Sequence, residues 1–118
     1  MSKPIQERYN AVVMRPKGEF FGSVEGPGFR KEIEGLISEG KCNLVLDLSS
    51  TTLMDSSGIG LLIESATKLR ENGGDLRIAE LESKMRNLFL MTRLLGDVFE
   101  LYDSVEDAVA SYSASDEG

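Results

Sequence analysis

The chain has 118 residues, of which 41% are hydrophobic and 28% charged, a size and composition that predict one globular domain. It contains no histidine and one cysteine, which excludes histidine-based catalytic triads, imidazole-ligated metal sites and intrachain disulfides, so neither a metal nor a cofactor is expected. A net charge of −7 disfavours direct binding of nucleic acid, and no apolar run approaches the roughly 20 residues of a membrane span. The N-terminus lacks the apolar segment of a secretory signal, which predicts a cytoplasmic protein.

The first third of the chain predicts a strand, a loop and a helix. Residues 10–14 contain a short apolar run typical of a β-strand, and the residues before them show a weak edge-strand pattern. Residues 19–28 are rich in glycine and contain a proline, which predicts a loop that leads into a helix. Gly40 is suited to end that helix, which is predicted from four apolar residues at helical spacing: Phe29, Ile33, Leu36 and Ile37.

The middle of the chain predicts two further strands and a second helix between them. Residues 43–48 form a mostly buried strand, and the polar residues 49–52 form a loop. The second helix begins after Gly58, and its apolar positions are Ile59, Leu62, Ile63, Ala66 and Leu69. The Asn-Gly-Gly sequence at 72–74 ends this helix, and residues 75–79 form a short strand.

The last third predicts a third helix, a last strand and a final helix. The third helix is followed by Gly96, and one face of it carries Met85, Leu88, Phe89 and Thr92. Residues 98–102 form the last strand, and Ser104 is the predicted N-cap of the final helix. The apolar face of that helix consists of Val105, Ala108, Val109 and Tyr112, and residues 113–118 are predicted to be a polar, frayed tail.

Strands and helices therefore alternate with short connections, which predicts the α/β class. We expect a single domain over residues 1–112 with a central, mostly parallel mixed sheet of four to five strands and about four α-helices. Residues 113–118 follow it as a separate polar tail.

The most informative segment is the junction Asp55-Ser56-Ser57-Gly58, which links the loop after a buried strand to the second helix. Asp and Ser side chains accept hydrogen bonds from the free N–H groups of a helix N-terminus, so simple capping is one interpretation. The other interpretation is a phosphorylation switch, because a helix N-terminus tolerates an anion and a phosphate adds about −1.5 to −2 charges. Asp55 would increase the local negative potential further, so the junction suits a switch that changes surface charge without changing the fold.

Several stretches in a fixed order resemble the STAS domain family (sulfate transporter and anti-sigma factor antagonist). They are Leu44-Val45-Leu46-Asp47-Leu48, then Met54-Asp55-Ser56-Ser57-Gly58 with the start of the following helix, and then 72–78, 85–89 and 94–104. The resemblance covers roughly residues 43–112. The single-domain length is similar to that of the bacterial anti-sigma factor antagonists rather than to the transporter-attached forms.

The resemblance implies a regulatory binding module and not an enzyme. In that family, an anti-sigma factor that is also a serine kinase binds the unphosphorylated antagonist, and this binding frees the sigma factor. The kinase then phosphorylates the serine directly after the Asp, which releases the antagonist, and a PP2C-type phosphatase reverses the modification. That serine is Ser56 here. The resemblance assigns Met54, Asp55, Ser57, Gly58, Gly18 and Glu19 to the motif and the partner surface, and Phe21, where the family's pattern is lost, is a further candidate for the partner surface.

Residues 1–30 diverge from the family pattern. After the early strand the family has a Gly-Glu-Leu-Asp-like turn, whereas here Gly18-Glu19 is followed by Phe20-Phe21-Gly22 and the Asp is absent. The two phenylalanines either form a docking pair, or one packs in the core while the other lies against the adjacent helix. The divergence also leaves open a stressosome-type scaffold or a soluble subunit of an ABC lipid-transport system, in which Ser56 only caps the helix. The oligomeric state, monomer or dimer, is open as well.

Overall fold

The computed structural model describes residues 5–8, 10–81 and 99–117. The strands are β1 (Ile5–Arg8), β2 (Ala11–Met14), β3 (Gly18–Phe20), β4 (Asn43–Asp47), β5 (Thr51–Met54), β6 (Asp75–Ala79) and β7 (Leu101–Tyr102). The helices are α1 (Gly22–Ser38), α2 (Ser56–Glu71) and α3 (Val105–Glu117). Within these described ranges, no helix combines the length and the apolar character needed to cross a membrane.

Five of the strands form a mixed sheet in the order β1-β2-β4-β6-β7. β1 runs antiparallel to β2, and the other three pairings of neighbours are parallel. The predicted α/β class with a mostly parallel mixed sheet is therefore confirmed. The described part of the chain contains three helices, and the helix predicted around 85–92 lies outside the described residues.

The apolar residues of the sheet alternate between two cores on its opposite faces, as the two-residue period of a β-strand requires. Leu44 and Leu46 of β4 belong to the larger core, which they share with apolar residues of α1 and α2. Val45, between them, belongs to the smaller core, which contains Ala108, Val109 and Tyr112 of α3. Because both faces are covered, β4 has a continuous apolar sequence instead of an alternating one.

Tyr112 fixes α3 to the sheet. Its hydroxyl oxygen lies 2.7 Å from the carbonyl oxygens of both Leu44 and Asp75. The guanidinium carbon of Arg77 lies 4.0 Å from the centre of the Tyr112 ring, a cation–π contact. Burial raises the pKa of the Tyr112 hydroxyl far above its ordinary value, so this group remains a hydrogen-bond donor.

The start of α3 agrees with the sequence prediction, and its end does not. The hydroxyl of Ser104 accepts a hydrogen bond from the Asp107 amide at 3.1 Å, so Ser104 is the helix cap that the sequence predicts. At the other end α3 extends to Glu117, so the tail predicted for 113–118 is helical as far as Glu117. The boundary of the domain at residue 112 stays a prediction.

The loop predicted over residues 19–28 is wrong. Gly18–Phe20 is a strand and α1 begins at Gly22, so Pro27 lies inside the helix. The side chain of Pro27 is exposed, whereas Gly26 beside it is buried against the rest of the molecule. Tertiary packing of this end of α1 therefore outweighs the low helix propensity of glycine and proline.

The polar loop predicted over residues 49–52 is wrong in its second half. Thr51–Met54 forms β5, which pairs in parallel with β3 in a separate two-stranded sheet. Thr51 is buried, and its hydroxyl donates a hydrogen bond to the carbonyl oxygen of Pro16 at 3.0 Å, which offsets the cost of burying a polar group. This small sheet leads directly into the Asp-Ser-Ser-Gly junction. Of the strand predicted over 98–102, residue 98 lies outside the described residues, and the strand observed in the rest covers Leu101–Tyr102.

Candidate functional site

The Asp-Ser-Ser-Gly junction lies where β5 ends and α2 begins. Met54, the last residue of β5, is buried and pairs with Phe20 of β3. Asp55 has an extended backbone and is the N-cap of α2, and Ser56 is the first residue of the helix. Capping is therefore the role of Asp55, and the interpretation of Ser56 as the helix cap is wrong.

The carboxylate of Asp55 accepts three hydrogen bonds through one oxygen. Oδ1 lies 2.7 Å from the amide nitrogen of Gly58, 2.9 Å from the hydroxyl of Ser57 and 3.3 Å from the amide nitrogen of Gly22. Desolvation acts to raise the pKa of Asp55, but the hydrogen bonds from Gly58, Ser57 and Gly22 outweigh it and hold the pKa below its ordinary value. Asp55 is therefore ionised at neutral pH and joins the N-termini of two helices.

The two serines of the junction differ in what their hydroxyl groups contact. Both side chains are exposed. The hydroxyl of Ser57 donates to Asp55 and lies beside Gly22, where an added Cβ would come within 2.8 Å of it. Within the described residues, the hydroxyl of Ser56 makes no hydrogen bond. Of the two serines, Ser56 is thus the one whose hydroxyl is not held by another described residue.

Gly58 is required by close packing. It is buried, and a Cβ at this position would collide with the carbonyl oxygen of Phe20 and lie 2.9 Å from the Cγ of Met54. The glycine of the motif therefore lets the first turn of α2 approach the backbone at the end of β3.

Gly18, Glu19 and Phe21, the other predicted partner-surface positions, lie on or next to β3. Gly18 has a φ of 78°, which favours glycine, and its amide donates to the Ser50 carbonyl oxygen at 2.9 Å. Glu19 is exposed, and Phe21 is half-buried at the N-cap of α1. Phe20 packs in the core with its ring edge-on to another aromatic ring, which agrees with the second of the two interpretations of the phenylalanine pair.

Sequence reasoning missed Gly22. Its amide donates to Asp55, and a Cβ at Gly22 would collide with the carbonyl oxygen of Ser57. One signal in the sequence could have indicated this contact. Where the chain departs from the family's turn, Phe21 precedes α1, and its side chain has no oxygen that could cap the helix. Asp55 supplies the missing oxygen from the other side of the junction.

Two large apolar side chains near the ends of these elements are exposed: Val24 in the first turn of α1, at 68%, and Leu53 in β5, at 42%. The sequence analysis did not single them out: Val24 lies in the segment predicted to be a loop, and Leu53 lies between the loop predicted over 49–52 and the Asp-Ser-Ser-Gly junction. Exposed apolar side chains of this size are candidates for contact with a partner.

Outside the junction, the described residues were searched for cavities and for metal-binding groups. A cavity of about 630 Å³ lies at the opposite end of the sheet, where β2 and β4 begin and α1 and α2 end, and Cys42 lines it. Among residues 5–8, 10–81 and 99–117, no group of three His, Cys, Asp or Glu is placed to hold a metal ion.

Comparison with known proteins finds several anti-sigma factor antagonists, together with domains of anion transporters. A Bordetella bronchiseptica protein assigned as the anti-sigma factor antagonist BtrV is 27% identical over 84 residues, which cover 71% of this chain and 72% of that protein. An anti-sigma factor antagonist assigned in Thermotoga maritima superposes with a TM-score of 0.82 at 19% identity, covering 92% of each chain. The Bacillus cell fate determinant SpoIIAA in its phosphorylated form superposes with a TM-score of 0.70 at 22% identity, covering 94% of this chain and 99% of that one.

The family model for the STAS domain matches residues 2–108, which is nearly the whole chain and includes the divergent N-terminal third. The similarity found in the motif thus extends over all five strands of the main sheet, α1, α2 and the first turn of α3. The chain belongs to the STAS domain family.

Proposed function

We propose that this chain is an anti-sigma factor antagonist whose binding to an anti-sigma factor is switched off by phosphorylation of Ser56. One observation carries the proposal: the Ser56 hydroxyl is exposed, without a hydrogen bond to the described residues, at the first turn of α2 beside an ionised Asp55. The antagonist assignment of the BtrV relative and the existence of a phosphorylated form of SpoIIAA support it.

In the proposed reaction this chain is the substrate and the kinase is the partner. The Ser56 oxygen attacks the γ-phosphorus of ATP held by the kinase, and the bond from that phosphorus to the β,γ-bridging oxygen breaks. ADP leaves, and the hydroxyl proton passes to a base of the kinase. A PP2C-type phosphatase would reverse the step by attack of water on the phosphoserine, which regenerates the hydroxyl and releases phosphate.

The contacts of the two serines support Ser56 over Ser57 as the acceptor. Ser57 would have to break its hydrogen bond to Asp55 and turn away from the N-terminus of α1 before its oxygen could reach a nucleotide. Ser56 is not held in this way, and its position at a helix N-terminus favours a negatively charged product.

The effect of the phosphate is electrostatic. It adds about −1.5 to −2 charges directly beside Asp55, in a chain whose net charge is already −7. A kinase surface that holds ATP phosphates or acidic side chains next to Ser56 would then be repelled. We include Leu53 and Val24 in the contact surface, together with Glu19 and Phe21, because they are the apolar and charged side chains that neighbour the junction in β3, β5 and α1.

The experiment that tests the proposal maps the phosphorylation site. The purified chain is incubated with ATP and each anti-sigma-type serine kinase encoded in the same genome, and the product is analysed by mass spectrometry. Ser56→Ala and Ser57→Ala serve as a matched pair. We expect phosphate on position 56 in the wild type and in Ser57→Ala, and none in Ser56→Ala.

Phosphate on Ser57, or no phosphate with any of these kinases, would contradict the proposal. In the second case, gel filtration and a pull-down from the native cell distinguish the alternatives. A large homo-assembly would favour a scaffold, and a bound ABC-transporter ATPase would favour a transport subunit.

A further inference from the structure

The N-terminus of α1 is capped by a residue that lies 33 positions later in the chain. Phe21, at the N-cap position of α1, makes no side-chain hydrogen bond to its helix, and the carbonyl oxygen of Phe21 accepts the amides of Val24 and Glu25. The amide of Gly22, the first residue of α1, donates instead to Oδ1 of Asp55. The same oxygen accepts the amide of Gly58 in α2, so one carboxylate serves two helices.

This arrangement depends on Gly22. A Cβ there would collide with the Ser57 carbonyl oxygen, so any other residue would push the N-terminus of α1 away from α2 and from Asp55. Gly35, farther along α1, has nothing within 4 Å of an added Cβ, so the requirement is local to the first turn.

We infer that Asp55 transmits the charge state of Ser56 to α1: phosphorylation of Ser56 displaces the Asp55 carboxylate from Gly22 and loosens the first turn of α1. The inference rests on the proposed function, since it concerns the same phosphorylation. A phosphate on the residue next to Asp55 repels the carboxylate. The carboxylate then loses the weaker of its hydrogen bonds to the two helices. The bond to Gly22 is 3.3 Å long and joins separate elements, whereas the bond to Gly58 is 2.7 Å long and belongs to the local cap of α2.

The consequence is that the partner surface changes in two places at once. Val24 lies in the loosened turn, and its side chain is 68% exposed. A partner that contacts Val24 would therefore meet both a new charge on α2 and a less ordered turn on α1.

The test uses the full chain and needs neither kinase nor partner. Phosphoserine is incorporated at position 56 during translation, and amide hydrogen exchange is measured by NMR. We expect exchange at Gly22 to rise about tenfold, as for the loss of a hydrogen bond to a charged acceptor. Gly58 and Gly35 should change by less than about twofold, since neither depends on the Gly22 contact.

Two variants and one control variant test whether the coupling passes through Asp55 and Gly22. Asp55→Asn keeps an oxygen acceptor without the charge, so phosphoserine 56 should no longer speed exchange at Gly22. Gly22→Ala breaks the contact sterically, so exchange at position 22 should already be fast and insensitive to phosphate, whereas Gly35→Ala should keep the full response. If Gly22→Ala does not fold, the comparison of wild type with Asp55→Asn remains decisive.

Unchanged or slower exchange at Gly22 in the phosphorylated chain would overturn the inference. So would an equal response in Asp55→Asn, because the charge of Asp55 would then play no part. Neither result bears on whether a kinase modifies Ser56, which the mapping experiment decides separately.

Discussion

Gly58 faces the carbonyl oxygen of Phe20 so closely that there is no space between them for a methyl group. The first turn of α2 is thereby seated on the end of β3, and the adjacent Asp55 is held where it can reach α1. The geometry of the junction therefore depends on one missing side chain as much as on the polar groups around it.

Gly58→Ala should destabilise the fold. The new methyl group must displace the backbone at Phe20 or the side chain of Met54, and overpacking of this kind costs about 1–3 kcal/mol. Gly60→Ala is the matched control, because Gly60 is exposed in the same helix with nothing within 4 Å of an added Cβ. It should stabilise the protein by about 0.5–1 kcal/mol through helix propensity. Urea unfolding measures both changes, and equal effects would contradict the packing explanation.

Tyr112→Phe should weaken the attachment of α3. The substitution leaves the carbonyl oxygens of Leu44 and Asp75 without the hydroxyl that lies 2.7 Å from each, at an expected loss of about 1–3 kcal/mol in the free energy of unfolding. Tyr102→Phe removes a half-buried hydroxyl that contacts the exposed Glu100 carboxylate and Ser111, so its effect should be within about 0.5 kcal/mol. If Tyr102→Phe lowered the free energy of unfolding as much as Tyr112→Phe does, burial of the hydroxyl would not explain the cost of removing it.

The main sheet and the larger helices could be predicted from the sequence because each has a local signal. Residues 75–79 were placed at their correct bounds, and the helix containing Ile59 and Leu62 follows from apolar spacing alone. β3 and β5 could not be predicted in the same way. They are strands of three and four residues that depend on pairing with each other across more than thirty positions, and a buried hydrogen bond from Thr51 to Pro16 supports them.

The start of α1 illustrates a second limit. Gly22, Gly26 and Pro27 have low helix propensity, and the close packing of the two glycines in the folded chain outweighs it. The position of Ser56 in the candidate site follows from the motif, and the structure places it at the start of α2. The bond between Gly22 and Asp55 could not be predicted, because no local pattern indicates that two helix N-termini share a carboxylate.

Asp55 should make stability depend on pH in the acid range. Because its pKa is lowered in the folded chain, the ionised carboxylate stabilises the fold above the ordinary pKa of 3.8, and this contribution is lost as the pH falls through the lowered value. Asp55→Asn lacks that titration. The urea midpoint of the wild type should therefore exceed that of Asp55→Asn near neutral pH, and the difference should shrink below about pH 4. A difference that stays constant or grows toward acid pH would contradict the assigned direction of the pKa shift.

Ser56→Asp should weaken binding to the cognate anti-sigma factor by about tenfold or more, because it places a like charge in the proposed contact surface. Ser56→Ala should bind as the wild type does but should not be released by ATP. Thr67→Asp is the charge-matched control: Thr67 is exposed on α2, and eleven helical residues place it about 16 Å from Ser56 along the helix, beyond the screening length at physiological salt. Calorimetric titration of all three variants gives the dissociation constants. Equal weakening by Ser56→Asp and Thr67→Asp would mean that net charge, and not charge at the junction, controls the partner.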